Sequence, residues 1–245
     1  MRAYELLKET FCRKLYIWMM HISWLVFYGL VYTLFRPEAE KFGQLIWICS
    51  GCFLPLLLSA GIIGDDIASG RIRVLIAKPF WLGDLFVYRL IGLSLQAAVH
   101  LVLAFLLLTL LPSLTGGDGI ENLGSWLVAA WLLFNVWAAL STTVSVVVGR
   151  GYNSLFLFVA LVFVLLTVDL LRLHIRQYHN SGAKMILDVL KYTCPPFVLL
   201  NKLAAGEYGL FQGAATVAHS FVLTLIYGGF GVFLLHKRQF PSTAP

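Results

Sequence analysis

The stretch Gly64-Asp-Asp-Ile-Ala-Ser-Gly70-Arg-Ile-Arg-Val-Leu-Ile-Ala-Lys78-Pro79 is polar, charged and punctuated by glycine. On either side of it lie continuous hydrophobic runs, each long enough to cross a bilayer, which takes about 20 apolar residues in a helix. Hydrocarbon cannot solvate Asp65, Asp66, Arg71, Arg73 and Lys78. The stretch must therefore lie in water at a membrane face or dock on a soluble partner.

The rest of the chain fits two such flanks. Of its 245 residues 60% are hydrophobic and 12% charged, and the charged share is about half that of soluble proteins. A soluble domain of this length could not hide so much apolar surface. In hydrocarbon, backbone groups are satisfied only inside helices or closed barrels. The runs are continuous rather than alternating, which predicts an all-α integral membrane protein. The net charge of +6 then reflects topology and contact with membrane lipids, not nucleic-acid binding, because no basic cluster with interleaved aromatics occurs. Cys12, Cys49, Cys52 and Cys194 do not form a disulfide framework. No cleavable signal peptide is expected, because the first long apolar run, from Leu15, has no small-residue cleavage site after it.

Six transmembrane helices are predicted, at Leu15–Phe35, Leu45–Ile63, Leu85–Leu111, Leu123–Val148, Leu155–Leu171 and Val217–Leu235, within a single domain over 15–240. The third and fourth exceed what an untilted span needs. Residues 1–14 read as an amphipathic interfacial helix, with Tyr4, Leu7 and Phe11 on one side. Six spans put both termini on one side. That side carries eleven Lys and Arg (Arg2, Lys8, Arg13, Lys14, Arg71, Arg73, Lys78, Arg89, Arg150, Lys237 and Arg238), against seven opposite. The bias predicts cytoplasmic termini and a cytoplasmic loop at 64–80. The region 172–216 is expected on the other side. It holds two short helices, re-entrant or interfacial, separated by Pro195-Pro196.

Few residues suggest chemistry. The six histidines are scattered, and none lies within a metal-ligand set. Cys49-Ser-Gly-Cys52 sits in an apolar run, where its small residues allow close helix contact. No phosphate-cradling Gly-Lys-Ser/Thr stretch exists, so this chain binds no ATP through a P-loop. The intramembrane polar residues are Gln96, His100, Asn135, Asp169 and His219. Gln96, His100 and Asn135 are candidates for a transport pathway; for Gln96 and Asn135 the plainer reading is bonding between helices. Asp169 and Arg172 suit a local ion pair. No chain of carboxylates runs through the spans, as an ion-driven carrier would need. Within 64–79, Asp65 or Asp66 can cap a short helix whose apolar side carries Ile67, Ile72, Leu75 and Ile76 and which Pro79 ends.

An acidic residue, Ile-x-x-Gly at Ile67–Gly70, a hydrophobic patch and then Lys78-Pro-Phe-Trp81 resemble the permease subunits of ABC-2 type exporters. The amphipathic start, six spans and short helices before the last span fit the same family. The resemblance implies that Asp65, Asp66, Ile67, Ala68, Ser69, Gly70, Arg71, Ile72, Arg73 and Lys78 form a coupling helix gripped by a separate ATPase subunit. It also implies a second permease, identical or paralogous, in the cell membrane. The chain itself would hold no cofactor, ATP and Mg²⁺ being bound by the ATPase partners. Two rivals stand beside this reading. A membrane-embedded enzyme of lipid or isoprenoid substrates would need a second acidic motif beside Asp65-Asp66. A channel or scaffold not driven by ATP would bring down no ATPase.

Overall fold

A computed structural model describes residues 3–12, 15–35, 38–72, 81–116, 119–148 and 181–238, with scattered positions between 152 and 175. Its elements are α1 (Ala3–Cys12), α2 (Leu15–Phe35), α3 (Ala39–Ile48), a π-turn (Cys49–Phe53), α4 (Leu54–Leu58), α5 (Gly64–Ala68), α6 (Leu82–Thr115), α7 (Leu123–Val147), α8 (Ser181–Thr193), α9 (Phe197–Ala204) and α10 (Leu210–Lys237). Among the described residues, five segments are long and apolar enough to cross a membrane: Trp18–Phe35, Lys41–Leu58, Gly83–Thr115, Leu123–Val147 and Leu210–Lys237. The protein is a multi-pass membrane protein. Of the fifth expected span, residues 155–160 are helical; Asp169, Arg172 and much of the remainder lie outside the described residues.

α7 is the centre of the bundle. Ala129, Ala130, Ala138, Ala139, Ser141, Thr142 and Ser145 are buried along it, and such small side chains let neighbouring helices approach closely. α10 buries its own small stripe of Gly213, Thr216, Ser220, Gly228 and Gly231, of which Gly213 faces Leu203 of α9, Gly228 faces α6, and Gly231 meets Phe86 of α6 and Thr143 of α7. A Cβ at Gly231 would lie 2.3 Å from the Phe86 ring and 2.5 Å from Thr143 Oγ1, so only glycine fits. The Thr143 hydroxyl donates to the Tyr227 carbonyl at 2.7 Å. With no hydrophobic drive between helices in lipid, this packing and hydrogen bonding supply the association.

Helix directions follow from which residues meet. Gly43 lies against Trp126 and Gly51 against Leu133, so α3 runs parallel to α7. Trp131 meets Phe221 and Arg238 donates to the Val146 carbonyl, so α10 runs parallel to α7 as well. α6 runs the other way, its Ser94 carbonyl accepting from Trp131 Nε1 at 3.3 Å. α2 is parallel to α6, since Tyr28 meets His100 and Gly29 faces Leu111. The starts of α2 and α6 and the ends of α4, α7 and α10 thus share one end of the bundle, the near end. The other end carries α9 and residues 119–122.

Several boundaries differ from the hydropathy reading: the last span starts at Leu210, not Val217, and the second is already helical from Ala39, not Leu45. The second span stops at Leu58, not Ile63, and contains a π-turn, in which the Leu54 N–H donates to the Cys49 carbonyl. The cause is Pro55, which has no N–H and cannot continue the α-helical ladder beneath it. α6 continues past Pro112 to Thr115, where Gly116 at φ 64° ends it. The expected single helix over 64–79 is broken: α5 ends at Ala68, and Gly70 turns the chain at φ 70°. Arg71 and Ile72 begin a new helical turn; Arg73 to Phe80 lie outside the described residues. Neither Asp65 nor Asp66 caps α5. Its N-cap is Ile63, without a side-chain bond, and both aspartates sit in the first turn.

Candidate functional site

The loop after α4 is tied to the rest of the near end by four charges of alternating sign. α6 has 34 residues, roughly 51 Å at about 1.5 Å per residue, which exceeds the hydrocarbon thickness of about 30 Å. Its first turns can therefore project beyond the apolar layer, and Arg89 sits there. The Arg89 side chain is fully buried. Its Nη2 donates to Asp66 Oδ2 at 2.9 Å and to Glu9 Oε1 at 3.3 Å, and its Nη1 donates to Thr10 Oγ1 at 2.8 Å. Arg71, brought back by the turn at Gly70, grips both Glu9 oxygens through Nη1 and Nη2. Its Nη1 lies 3.8 Å from Asp66 Oδ1. Two cations and two anions cancel, which is what lets a guanidinium be buried at all.

The electrostatics follow from this geometry. Burial acts to raise the Glu9 pKa, but the hydrogen bond from Arg71 and the charges of Arg89 and Arg71 outweigh it and hold the carboxyl below its ordinary range. The hydrogen bond to Glu9 raises the Arg71 pKa in turn.

α1 is clamped to the same place. Gln96 Nε2 donates to the Thr10 carbonyl at 3.0 Å and the Phe11 carbonyl at 2.8 Å. These belong to the last turn of α1, whose carbonyls have no partner within the helix. A Cβ at Gly92 would come within 2.6 Å of Thr10 Cβ, so the two backbones touch there. Phe11 meets Trp18 of α2 with ring centroids 5.4 Å apart. Gln96 does bond between helices, and it does so as an anchor for α1.

The other residues singled out from the sequence divide by exposure. Asp66 and Ile72 are each 1% exposed, and Ile72 packs with Leu85, Phe86 and Ile63. Ala68 and Ser69 are exposed, and Asp65, Ile67, Gly70 and Arg71 are half-buried. Arg73 and Lys78 lie outside the described residues. Asn135 donates to the Trp131 carbonyl of its own helix at 2.7 Å. Glu9 and Thr10, contributed by α1, were not among the expected site residues. The available signal was Glu9 on the polar side of the amphipathic segment, and Arg89 a short way into an apolar run.

A second polar cluster lies deeper, between α2, the π-turn and α6. The His100 and His21 rings are 5.1 Å apart between centroids. His100 Nε2 lies 3.4 Å from Ser50 Oγ, which shares a hydrogen bond with the Tyr28 hydroxyl at 2.7 Å. Both histidines are buried, and among the described residues both ring nitrogens of His21 and Nδ1 of His100 have no hydrogen-bond partner. The π-turn places Ser50 here, and Gly51 meets Leu133 on its other side. Cys49 and Cys52 are buried free thiols. Among the described residues, no three His, Cys, Asp or Glu side chains converge as a metal-ligand set.

A family model described as ABC-2 family transporter protein matches residues 25–240. Comparison with curated proteins gives no match.

Proposed function

The chain belongs to the ABC-2 transporter family, and we propose that it is the permease subunit of an ATP-driven exporter in the cell membrane. Two copies, or this chain and a paralogous permease, would form the pathway, with separate ATPase subunits docked at the near end. The single observation carrying this reading is that α5 and its exposed tip are bonded to both α1 and α6 through Asp66, Arg89, Glu9 and Arg71. A push on that tip cannot be absorbed by the loop alone. It is passed to a long rigid helix that crosses the bilayer.

Within the expected coupling stretch the residues share out the task. Asp66 and Ile72 face inward and hold the loop. Ala68 and Ser69, with half-buried Asp65, Ile67, Gly70 and Arg71, form the surface offered to the ATPase. Gly70 sets the shape of that surface, because its φ of 70° is one that side-chain-bearing residues adopt only at a cost of about 1–3 kcal/mol. Transport then requires the two conformations to hold cargo differently.

Helix directions support six spans and a cytoplasmic near end. α7 and α10 pack side by side and run the same way, so the chain between them must recross the bundle. The apolar run Leu155–Leu171 is the segment suited to that crossing. Among the described residues the near end also carries Lys8, Arg71, Arg89, Lys237 and Arg238, and cytoplasmic faces are rich in such charges.

Co-purification tests the assignment directly: a permease brings down a soluble ATPase. Gly70→Trp and Ile67→Asp are expected to insert normally and to abolish cargo-stimulated ATP hydrolysis. Normal stimulation in both variants would overturn the coupling role.

A further inference from the structure

At the far end of the bundle a cavity of about 410 Å³ opens between α3 and α9, a volume within the range of small-molecule sites, about 300–1,000 Å³. Its apolar lining includes Trp47, Ile48 and Phe197, and its polar lining includes Asn201, Lys202 and Glu207. The sequence builds this rim locally. Pro195-Pro196 starts α9, and Gly206 at φ 76° ends it. The Glu207 N–H donates to the Lys202 carbonyl at 3.0 Å and the Gly206 N–H to the Leu203 carbonyl at 3.2 Å, the paired bonds of a glycine-terminated helix. That reversal sets the Glu207 carboxylate 3.6 Å from Lys202 Nζ. Both side chains are about half exposed, at 46% and 55%. Such an open pair adds little to folding and leaves both charges accessible.

Beneath the pair the aromatic wall is fixed. Trp47 and Phe197 meet edge to face at 6.1 Å and 89°, and Trp137 holds Phe197 from behind at 5.9 Å. Trp47 is only 7% exposed, and its buried indole N–H has no hydrogen-bond partner among the described residues. A buried indole normally finds an acceptor. The wall offers greasy surface under a rim carrying one positive and one negative charge.

We propose that this cavity binds a phospholipid with a zwitterionic, phosphate–ammonium headgroup. The phosphate lies against Lys202 and the Asn201 amide, and the ammonium lies against Glu207. The first acyl carbons rest on Ile48 and Phe197. The charges select among lipids: an anionic headgroup satisfies Lys202 but meets Glu207, and a neutral one leaves both unmatched. The inference rests on this cavity alone and needs no ATPase, so it stands or falls separately from the permease role.

The test uses the full-length protein in neutral detergent, titrated with phosphatidylcholine or phosphatidylglycerol brominated on the acyl chain, with quenching of tryptophan fluorescence as the readout. Phosphatidylcholine is expected to bind about tenfold more tightly than phosphatidylglycerol, the effect of one well-made polar contact. Glu207→Gln should erase that preference, and Lys202→Ala should weaken both lipids. Both positions are exposed, so both variants keep the fold. Trp47→Phe should remove the part of the quenching that saturates at low lipid. Equal binding of the two lipids, or a preference unchanged by Glu207→Gln and Lys202→Ala, overturns the proposal. So does equally tight binding of water-soluble glycerophosphocholine, competing with the brominated lipid, which would assign the site to a free zwitterion.

Discussion

Arg89 donates to Asp66 at 2.9 Å where neither side chain meets solvent, their exposures being 0% and 2%. This pair is what makes the loop after α4 and the long helix α6 one mechanical unit. Removing one partner leaves a buried charge uncompensated, at a cost of about 3–5 kcal/mol, whereas replacing both by apolar groups of similar size is often close to neutral. Asp66→Ala is therefore expected to lower the unfolding temperature in detergent sharply. The joint variant Asp66→Leu with Arg89→Met should recover most of the loss. Equal damage from the single and the joint variant would show that the pair is not a closed unit.

Glu9 makes the near end sensitive to acid. Its folded pKa is depressed: burial raises it, but the hydrogen bond from Arg71 and the charges of Arg89 and Arg71 outweigh burial. A depressed carboxyl stabilises the fold fully above its unfolded pKa and loses that contribution as pH falls through the folded value. The raised pKa of Arg71 plays no part in this window, because Arg71 is protonated in folded and unfolded chains throughout it. Unfolding temperature is expected to decline as pH drops below the ordinary carboxylate range. Glu9→Gln should start lower and show a flatter acid limb, and a limb of unchanged slope would contradict the role given to Glu9.

Five of the expected spans were legible because hydropathy alone decides what lipid accepts, and α2 falls on its expected residues without adjustment. The helix break at Pro195-Pro196 and the turn at Gly206 were legible for a local reason too, since proline and glycine act on their own backbone. The charge square was not. Glu9, Asp66, Arg71 and Arg89 come from three elements, and polarity alone assigns each of them to water. What buries Arg89 is its partners, and no local pattern announces a partner tens of residues away. The break at Gly70 was missed for a related reason: Ile72, Leu75 and Ile76 fall at helical spacing, and that pattern says nothing of the residue before them that leaves the helix. Asn135 shows the converse, a polar residue in a span that is satisfied by its own helix.

Close contact between α7 and α10 depends on glycine at one position and not at its neighbour. A Cβ at Gly231 would collide with Phe86 and Thr143, whereas nothing lies within 4 Å of a Cβ at Gly229. Gly231→Ala is expected to cost about 1–3 kcal/mol by overpacking. Gly229→Ala should be neutral or stabilising by up to about 1 kcal/mol, since alanine favours the helix. Thermal unfolding of the two variants side by side checks this, and similar shifts in both would mean that the contact is loose.

The histidine pair tests whether a polar cluster inside the bundle serves transport or merely tolerates its burial. His21 is 1% exposed, neither of its ring nitrogens has a partner among the described residues, and its ring touches Trp18 and His100 at 5.4 Å and 5.1 Å. Phenylalanine keeps a ring in that place and removes the unmade hydrogen bonds, each of which costs about 1–3 kcal/mol when buried. His21→Phe is therefore expected to raise the unfolding temperature. A group that weakens the fold and persists in the native state fits a functional role, since activity commonly trades against stability. The same variant should accordingly lose cargo-stimulated ATP hydrolysis while basal hydrolysis by the assembled complex is unchanged. A more stable variant with full stimulation would remove His21 and His100 from the pathway. A less stable one would show that the ring nitrogens are bonded in the native protein.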